Sequence, residues 1–458
     1  MRLRAASHTR KLLVLGGLAL FSMGLRAQKD ESTRYVLYEI GTFGGPNSDY
    51  NGSVGVITNT GIVVGAANTT GTNPYDLACW GNSSSTCLAM HPFRWRRGTL
   101  IDLGVLPGGY GGWVNAANAR GVTVGQSDDG EFDPLTGLPV FVATVWDHGE
   151  IRNLGTFGGG FSIAISVTDE GFVMGAAENG IVDTSGFAGF DGISQIRGFG
   201  WSGGEKFDLG TLGGTGTFPN AMNNSGRITG TSSTSTVPGP FGAAPQAPFL
   251  WRKGEMVNLG NLGGQVGVGN AINSRGDVVG ASSLASEPFA CQFYYNLSGH
   301  CHAFFWSQGH MTDLGTLGGT QSAAEEINNS GDAAGFSALP DDIYFHAFGW
   351  RQSKMIDLGV IAGDNYSRAF GMNDQGQVVG QSWLWDGHKT LASHAFLWNG
   401  SGPMIDLNTL VTNHTDLNLV EGSFITDRGW ILAKGQLPNG DMRAAVLVPE
   451  SDANLVEQ

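Results

Sequence analysis

Hydrophobic residues alternate with small or polar ones in short runs along nearly the whole chain, and the runs return in a fixed order. A segment like Ala-x-x-Ile-Asn is followed by Val-Val-Gly, then by an aromatic run ending in tryptophan, then by a run containing Asp-Leu-Gly. Period-two alternation over a few residues predicts half-buried strands rather than helices. The aromatic runs end at Trp95, Trp146, Trp201, Trp251, Trp306, Trp350 and Trp398, and the Asp or Asn of the following Leu-Gly run stands seven residues on in six cases and eight in the last, at Asp406. Gly98, Gly149, Gly204, Gly254 and Gly309 fall inside that gap, where a hairpin turn needs a positive φ. An Asn-x-x-Gly element, assigned to Asn59, Asn118, Asn223, Asn273, Asn328 and Asn373 with Thr168 and Thr426 as variants, predicts a second tight hairpin. Each repeat therefore supplies four short strands as a meander.

Eight such units predict an all-β fold, an eight-bladed β-propeller of four-stranded blades. The first strand of the chain, 35–41, has no aromatic partner before it, and the last, 444–448, has no Leu-Gly run after it. Pairing them closes the ring, with the N-terminal strand at the rim of the C-terminal blade. The blades are expected to run from the Ile-Asn strand at the axis to the Leu-Gly strand at the rim; the alternative phase places the aromatic strand innermost. In either phase the Gly-rich bends and the loops of variable length share one face, and the tight hairpins share the other. The variable loops are 68–90, 128–140, 178–196, 233–246, 283–300, 338–345 and 383–393, and a binding site is expected on that face or in the channel.

The segments His302-Ala303-Phe304-Phe305-Trp306, His346-Ala347-Phe348-Gly349-Trp350 and His394-Ala395-Phe396-Leu397-Trp398 resemble the HAF family of extracellular repeat proteins. The likeness covers about 35–449. It implies export and a repeat fold, and it transfers no activity. Val142, Arg197 and Ala247 stand in the histidine position of the second to fourth copies, so the histidine is not obligatory.

Charge narrows the partners. The chain has 458 residues with 25 Lys plus Arg against 40 Asp plus Glu, a net charge of -15. Arg2, Arg4, Arg10 and Lys11 precede an apolar run at 12–25, which reads as a secretory signal peptide ending near residue 27 and not as a membrane span. Removing 1–27 takes five basic groups and no acid, leaving 20 against 40 and a net charge of -20. So acidic a chain is not expected to bind nucleic acid or anionic lipid. An exported monomer is expected, extracellular or periplasmic, with one propeller domain at 35–449 and a polar tail at 450–458. Cys79 with Cys87, and Cys291 with Cys301, are expected to close two local disulfides in an oxidising compartment.

Candidate chemistry divides into what the repeat explains and what it does not. His91, His302, His346 and His394, with Asp102, Asp208, Asp313 and Asp357, recur at equivalent blade positions and are expected to serve the blade. Asp128, Asp129, Glu131 and Asp133 crowd one loop and are a candidate calcium site; no cofactor is otherwise required. Tyr75, Trp80, Tyr294, Tyr295, Tyr344, Trp383 and Trp385 lie in the variable loops, where exposed rings stack on sugars or grip a partner protein. No nucleophile elbow, metalloprotease helix or phosphate loop is present. The reading is a secreted binding module for a glycan or surface protein; the alternative is a propeller glycoside hydrolase or lyase with paired loop carboxylates.

Overall fold

A computed structural model describes residues 33–50, 55–75, 87–240, 242–288, 291 and 300–457. They form eight four-stranded antiparallel sheets, seven of them meanders in chain order. Blade 2 is representative, with strands Gly112–Ala117, Thr123–Phe132, Pro139–Asp147 and Glu150–Asn153. Blade 8 takes three strands, Asn418–Ile425, Ile431–Gln436 and Met442–Pro449, from the end of the described chain and its fourth, Tyr35–Glu39, from the start. Tyr35 pairs with Pro449 and Glu39 with Ala445, so the expected clasp is present. Tyr35 and Leu37 are buried in it.

The Ile-Asn strands lie at the axis, where neighbouring blades meet through their first strands. Asn115 Nδ2 donates to the carbonyl of Ala164, and Asn270 Nδ2 to that of Ala324, each 2.8 Å away in the following blade. The repeat asparagines of the tight turns add a second set of links. Asn118 Oδ1 accepts from the N–H groups of Arg120 and Val122 in its own turn, while its Nδ2 donates to Thr168 O at 3.0 Å in the next blade. Asn223, Asn273, Asn328 and Asn373 make the same crossing. One side chain thus shapes a turn and ties two blades, which explains why the repeat uses an amide there.

The turn place of blade 1, expected at Asn59 from its residue type, belongs to Thr58, three residues before Gly61 as Asn118 is before Gly121, with its N–H meeting Ile62 O and its carbonyl Gly61 N. Asn59 stands one position on. It exchanges hydrogen bonds with Asp427 of blade 8 and so links the last blade to the first.

The other hairpin is a two-residue turn. Arg97 and Gly98 both have positive φ, 50° and 74°, as do His148 with Gly149 and Gln308 with Gly309, the type I′ geometry that matches strand twist. The glycine of Val-Val-Gly has a different reason. A β-carbon at Gly175 or Gly380 would overlap a carbonyl of the first strand and the ring of Phe199 or Phe396. Phe93, Phe199, Phe249, Phe304, Phe348 and Phe396 occupy this repeat position and are completely buried, each contributing about 1.5–3 kcal/mol.

Cys291 and Cys301 form a disulfide. Cys79 lies outside the described residues, so the pairing with Cys87 is not visible. The tail after Pro449 forms a 3-10 turn at Glu450–Asp452 and a single helical turn at Asn454–Glu457. It is docked on blade 8, with Val456 buried and Asp452 accepting a hydrogen bond from the Trp430 indole. Among the described residues no helix is long and apolar enough to cross a membrane.

Candidate functional site

The repeated histidines and aspartates meet one another inside single blades. His91 Nδ1 is 2.8 Å from Asp102, His302 is 2.9 Å from Asp313, His346 is 2.9 Å from Asp357, and Arg197 takes the same role at 2.9 Å from Asp208. Each aspartate also accepts from the N–H two residues on, as Asp313 does from Gly315. These groups fasten the third strand to the fourth and converge on no common point. His394 departs from the pattern: Asp406 caps the 3-10 turn at Leu407–Thr409, and the histidine pairs with the buried Asp364 instead.

On the variable-loop face the second strands of blades 1 to 3 run on past the sheet, to Thr72, Phe132 and Val182, so these loops begin as extended hairpin arms. Asp128 is fully buried under the bend before blade 2, where its oxygens accept from the N–H groups of Tyr110 and Gly111 at 2.8 and 2.6 Å. Desolvation raises its pKa, against those hydrogen bonds. Asp129 caps its own turn through Glu131 N, and Glu131 is exposed. Among the four loop acids, Asp128 serves the bend and Asp129 the turn, and Asp129 and Asp133 line one open cleft.

Asp133 is also grouped with Glu178 and Asp191 of blade 3, with ligating oxygens all within 4.8 Å of one another. Glu178 occupies the position in blade 3 that Asp128 occupies in blade 2, ten residues after the turn residue Thr168 as Asp128 follows Asn118. Its carboxylate likewise accepts from a bend N–H, that of Phe161 at 3.1 Å, and also from Asp191 N at 3.0 Å. Burial pushes the Glu178 carboxyl up to about 7, with the charge of Asp191 adding to the effect. Burial acts the same way on Asp191, but hydrogen bonds from the Ser194 hydroxyl and the N–H groups of Ser194 and Ile193 outweigh it and hold its pKa below the usual range. Glu178 and Asp191 were not singled out by sequence. The recurrence of an acid at one repeat position in two consecutive blades was the available signal.

The loop aromatics divide as well. Tyr75 is buried, its ring edge-on to Tyr110 and Phe132 at 5.5 and 5.3 Å. Trp80, Tyr294 and Tyr295 lie outside the described residues. Tyr344 and Trp383 converge on a residue that sequence reasoning missed, Tyr366, which opens the innermost strand of blade 7. Tyr366 stacks on Trp383 at 5.3 Å with an interplanar angle of 11°, and Tyr344 meets it edge-on at 5.4 Å. The Tyr366 hydroxyl donates to Ile343 O. Tyr344 and Trp385 remain 40% and 36% exposed, so rings of blades 6 and 7 face solvent near the axis on the loop face. Arg368 lies over Phe336 and Phe370 just below, paired with Glu325 of the preceding blade.

The opposite face carries an open cleft of about 690 Å³ lined by Arg94, Arg96, Arg97, Arg120 and His148 over Ile62, Ile101 and Val456. Positive charge that is scarce in the sequence is gathered there, at the tight hairpins of blades 1 and 2.

No protein-family profile matches the chain, and no curated protein sequence matches it. Among solved structures it is similar to the β-propeller domain of the trilobed protease from Pyrococcus furiosus, at 6% identity and a TM-score of 0.41, covering 73% of this chain and 93% of that one. It is also similar to TolB from Acinetobacter baumannii, at 10% identity and a TM-score of 0.32 over 84% of this chain and 79% of that one. Trypanosoma rangeli sialidase matches at 10% identity and a TM-score of 0.32, covering 86% of this chain and 61% of that one.

Proposed function

We propose that this chain is an exported β-propeller binding module of the HAF type that recognises a neutral glycan or a surface protein through its variable-loop face. The observation that carries the reading is the group formed by Tyr344, Tyr366 and Trp383, with Trp385 nearby on the same strand. Stacked rings present an apolar face to a sugar's C–H surface, and the Asn365 side chain, bonded at both ends to the Trp385 backbone, holds that part of the loop in place. The Cys291–Cys301 disulfide supports an oxidising compartment.

The hydrolase or lyase alternative needs two carboxylates on either side of a substrate that can reach them. Loop acids from two blades do converge, at Asp133, Glu178 and Asp191. Glu178 is completely buried and Asp133 is 3% exposed, whereas Tyr344 and Trp385 stand open to solvent. That burial favours the binding reading.

A glycan array with and without chelator, repeated with Tyr344→Ala and Trp385→Ala, tests the reading. Recognition of neutral glycans that either substitution weakens supports it. Retention of all binding by both variants removes the aromatic group from the account.

A further inference from the structure

The buried Asp133 and Glu178 and the partly exposed Asp191 bring three carboxylates together, and among the described residues none of them is joined to a Lys, Arg or His. Grouped like charges without a counter-charge are costly inside a protein, so the cluster must hold either protons or a cation. Two further features bear on which. Asp133 Oδ1 accepts from Leu135 N at 2.7 Å, but its Oδ2 is fully buried with no hydrogen-bond partner, an acceptor left open in a group 3% exposed. Backbone from two separate segments also closes tightly around the acids: a β-carbon at Gly159, Gly160 or Gly189 would overlap Glu178, Asp133 or Glu178 again. Glycine at all three places leaves the carboxylates in a fitted cradle.

We propose that Asp133, Glu178 and Asp191 form a calcium site that pins the variable loop of blade 2 to that of blade 3. The donors are all carboxylate oxygens, with no thiolate or imidazole, which selects a hard cation over zinc or copper. Irregular loops adapt to the larger, variable shell of calcium more readily than to the strict octahedron of magnesium. The site lies under the bend at 158–160, away from the aromatic group of blades 6 and 7, and it stands whether or not that group binds a glycan.

The experiment is calorimetric titration of calcium into the chelator-stripped full chain at pH 8, with unfolding midpoints measured in parallel for wild type, Asp133→Asn and Glu178→Gln. One calcium per chain is expected, with a rise in the midpoint of about 2–5 °C at millimolar calcium and binding at least tenfold weaker in each variant. Glu178→Gln keeps an acceptor for only one of the Phe161 and Asp191 N–H groups, so the midpoints of both variants in chelator are compared with that of the wild type, which separates lost binding from lost folding. The proposal fails if calcium leaves the wild-type midpoint unchanged, if both variants bind as the wild type does, or if magnesium produces the same shift at the same concentration.

Discussion

His302 Nδ1 lies 2.9 Å from both carboxylate oxygens of Asp313, eleven residues further along the chain. The pair has an internal control in the same molecule. Where His or Arg holds the first position the second is Asp, as at His91 and Asp102 or Arg197 and Asp208; where Val142 or Ala247 holds it the second is Asn153 or Asn258. In blades 1 to 6 the charge at this place on the fourth strand is present only where a cation or imidazole faces it; in blade 7 Asp406 caps a 3-10 turn and His394 pairs with Asp364 instead.

This relationship predicts non-additivity. Burial alone would raise Asp313, but the hydrogen bonds from His302 and Gly315 N–H hold it below the usual carboxylate range. A depressed carboxylate pKa contributes stability above its unfolded value and loses it as pH falls through the folded value. His302→Val should cost about 0.5–1 kcal/mol at neutral pH, given the partial exposure of the pair. The double substitution His302→Val with Asp313→Asn, which copies blade 2, should cost less than the sum of the two singles in urea denaturation.

The clasp predicts a larger effect. Leu37 is buried between the strand partners of blade 8, and Leu37→Ala should cost about 2–4 kcal/mol. Deletion of 35–41 should expose the edge of the Met442–Pro449 strand and lower the thermal midpoint sharply. An unchanged midpoint after that deletion would show that the ring does not depend on its closing strand.

The eight-bladed plan was legible because its determinants are local. A type I′ turn at Arg97 and Gly98, or the amide of Asn118, acts within a few residues and leaves a fixed spacing in the sequence. The acid cluster was not legible, since Asp133 and Glu178 are brought together only by the rotation from one blade to the next. The same applies to Tyr366, a lone tyrosine at the start of a strand until Trp383 and Tyr344 pack on it, and to the basic cleft, whose arginines come from separate hairpins. Asp128 misled for the opposite reason: its close neighbours in sequence alternate sides of an extended strand, and its own carboxylate turns inward to the bend.

Stability should also fall as pH rises above the acidic range. Burial pushes Glu326, on the innermost strand of blade 6, up to about 8, helped by the charge of Glu325, and Glu178 up to about 7. A raised folded pKa means the native state keeps a proton that the unfolded chain gives up from about pH 4.5. The contribution is complete below that pH and is lost progressively up to the folded values. In chelator the thermal midpoint should therefore decline between pH 5 and 8. Glu326→Gln should raise it at pH 8 and change it little at pH 4.

On the proposed reading the loop face, and not the basic cleft on the opposite face, is where this protein meets its partner. The most direct measurement is the affinity of the best array glycan at low and high salt for the wild type, Trp385→Ala and Arg97→Ala. Salt-insensitive binding is expected, at least tenfold weaker in Trp385→Ala and unchanged in Arg97→Ala. Binding confined to polyanions, steeply weakened by salt and lost in Arg97→Ala alone, would contradict it.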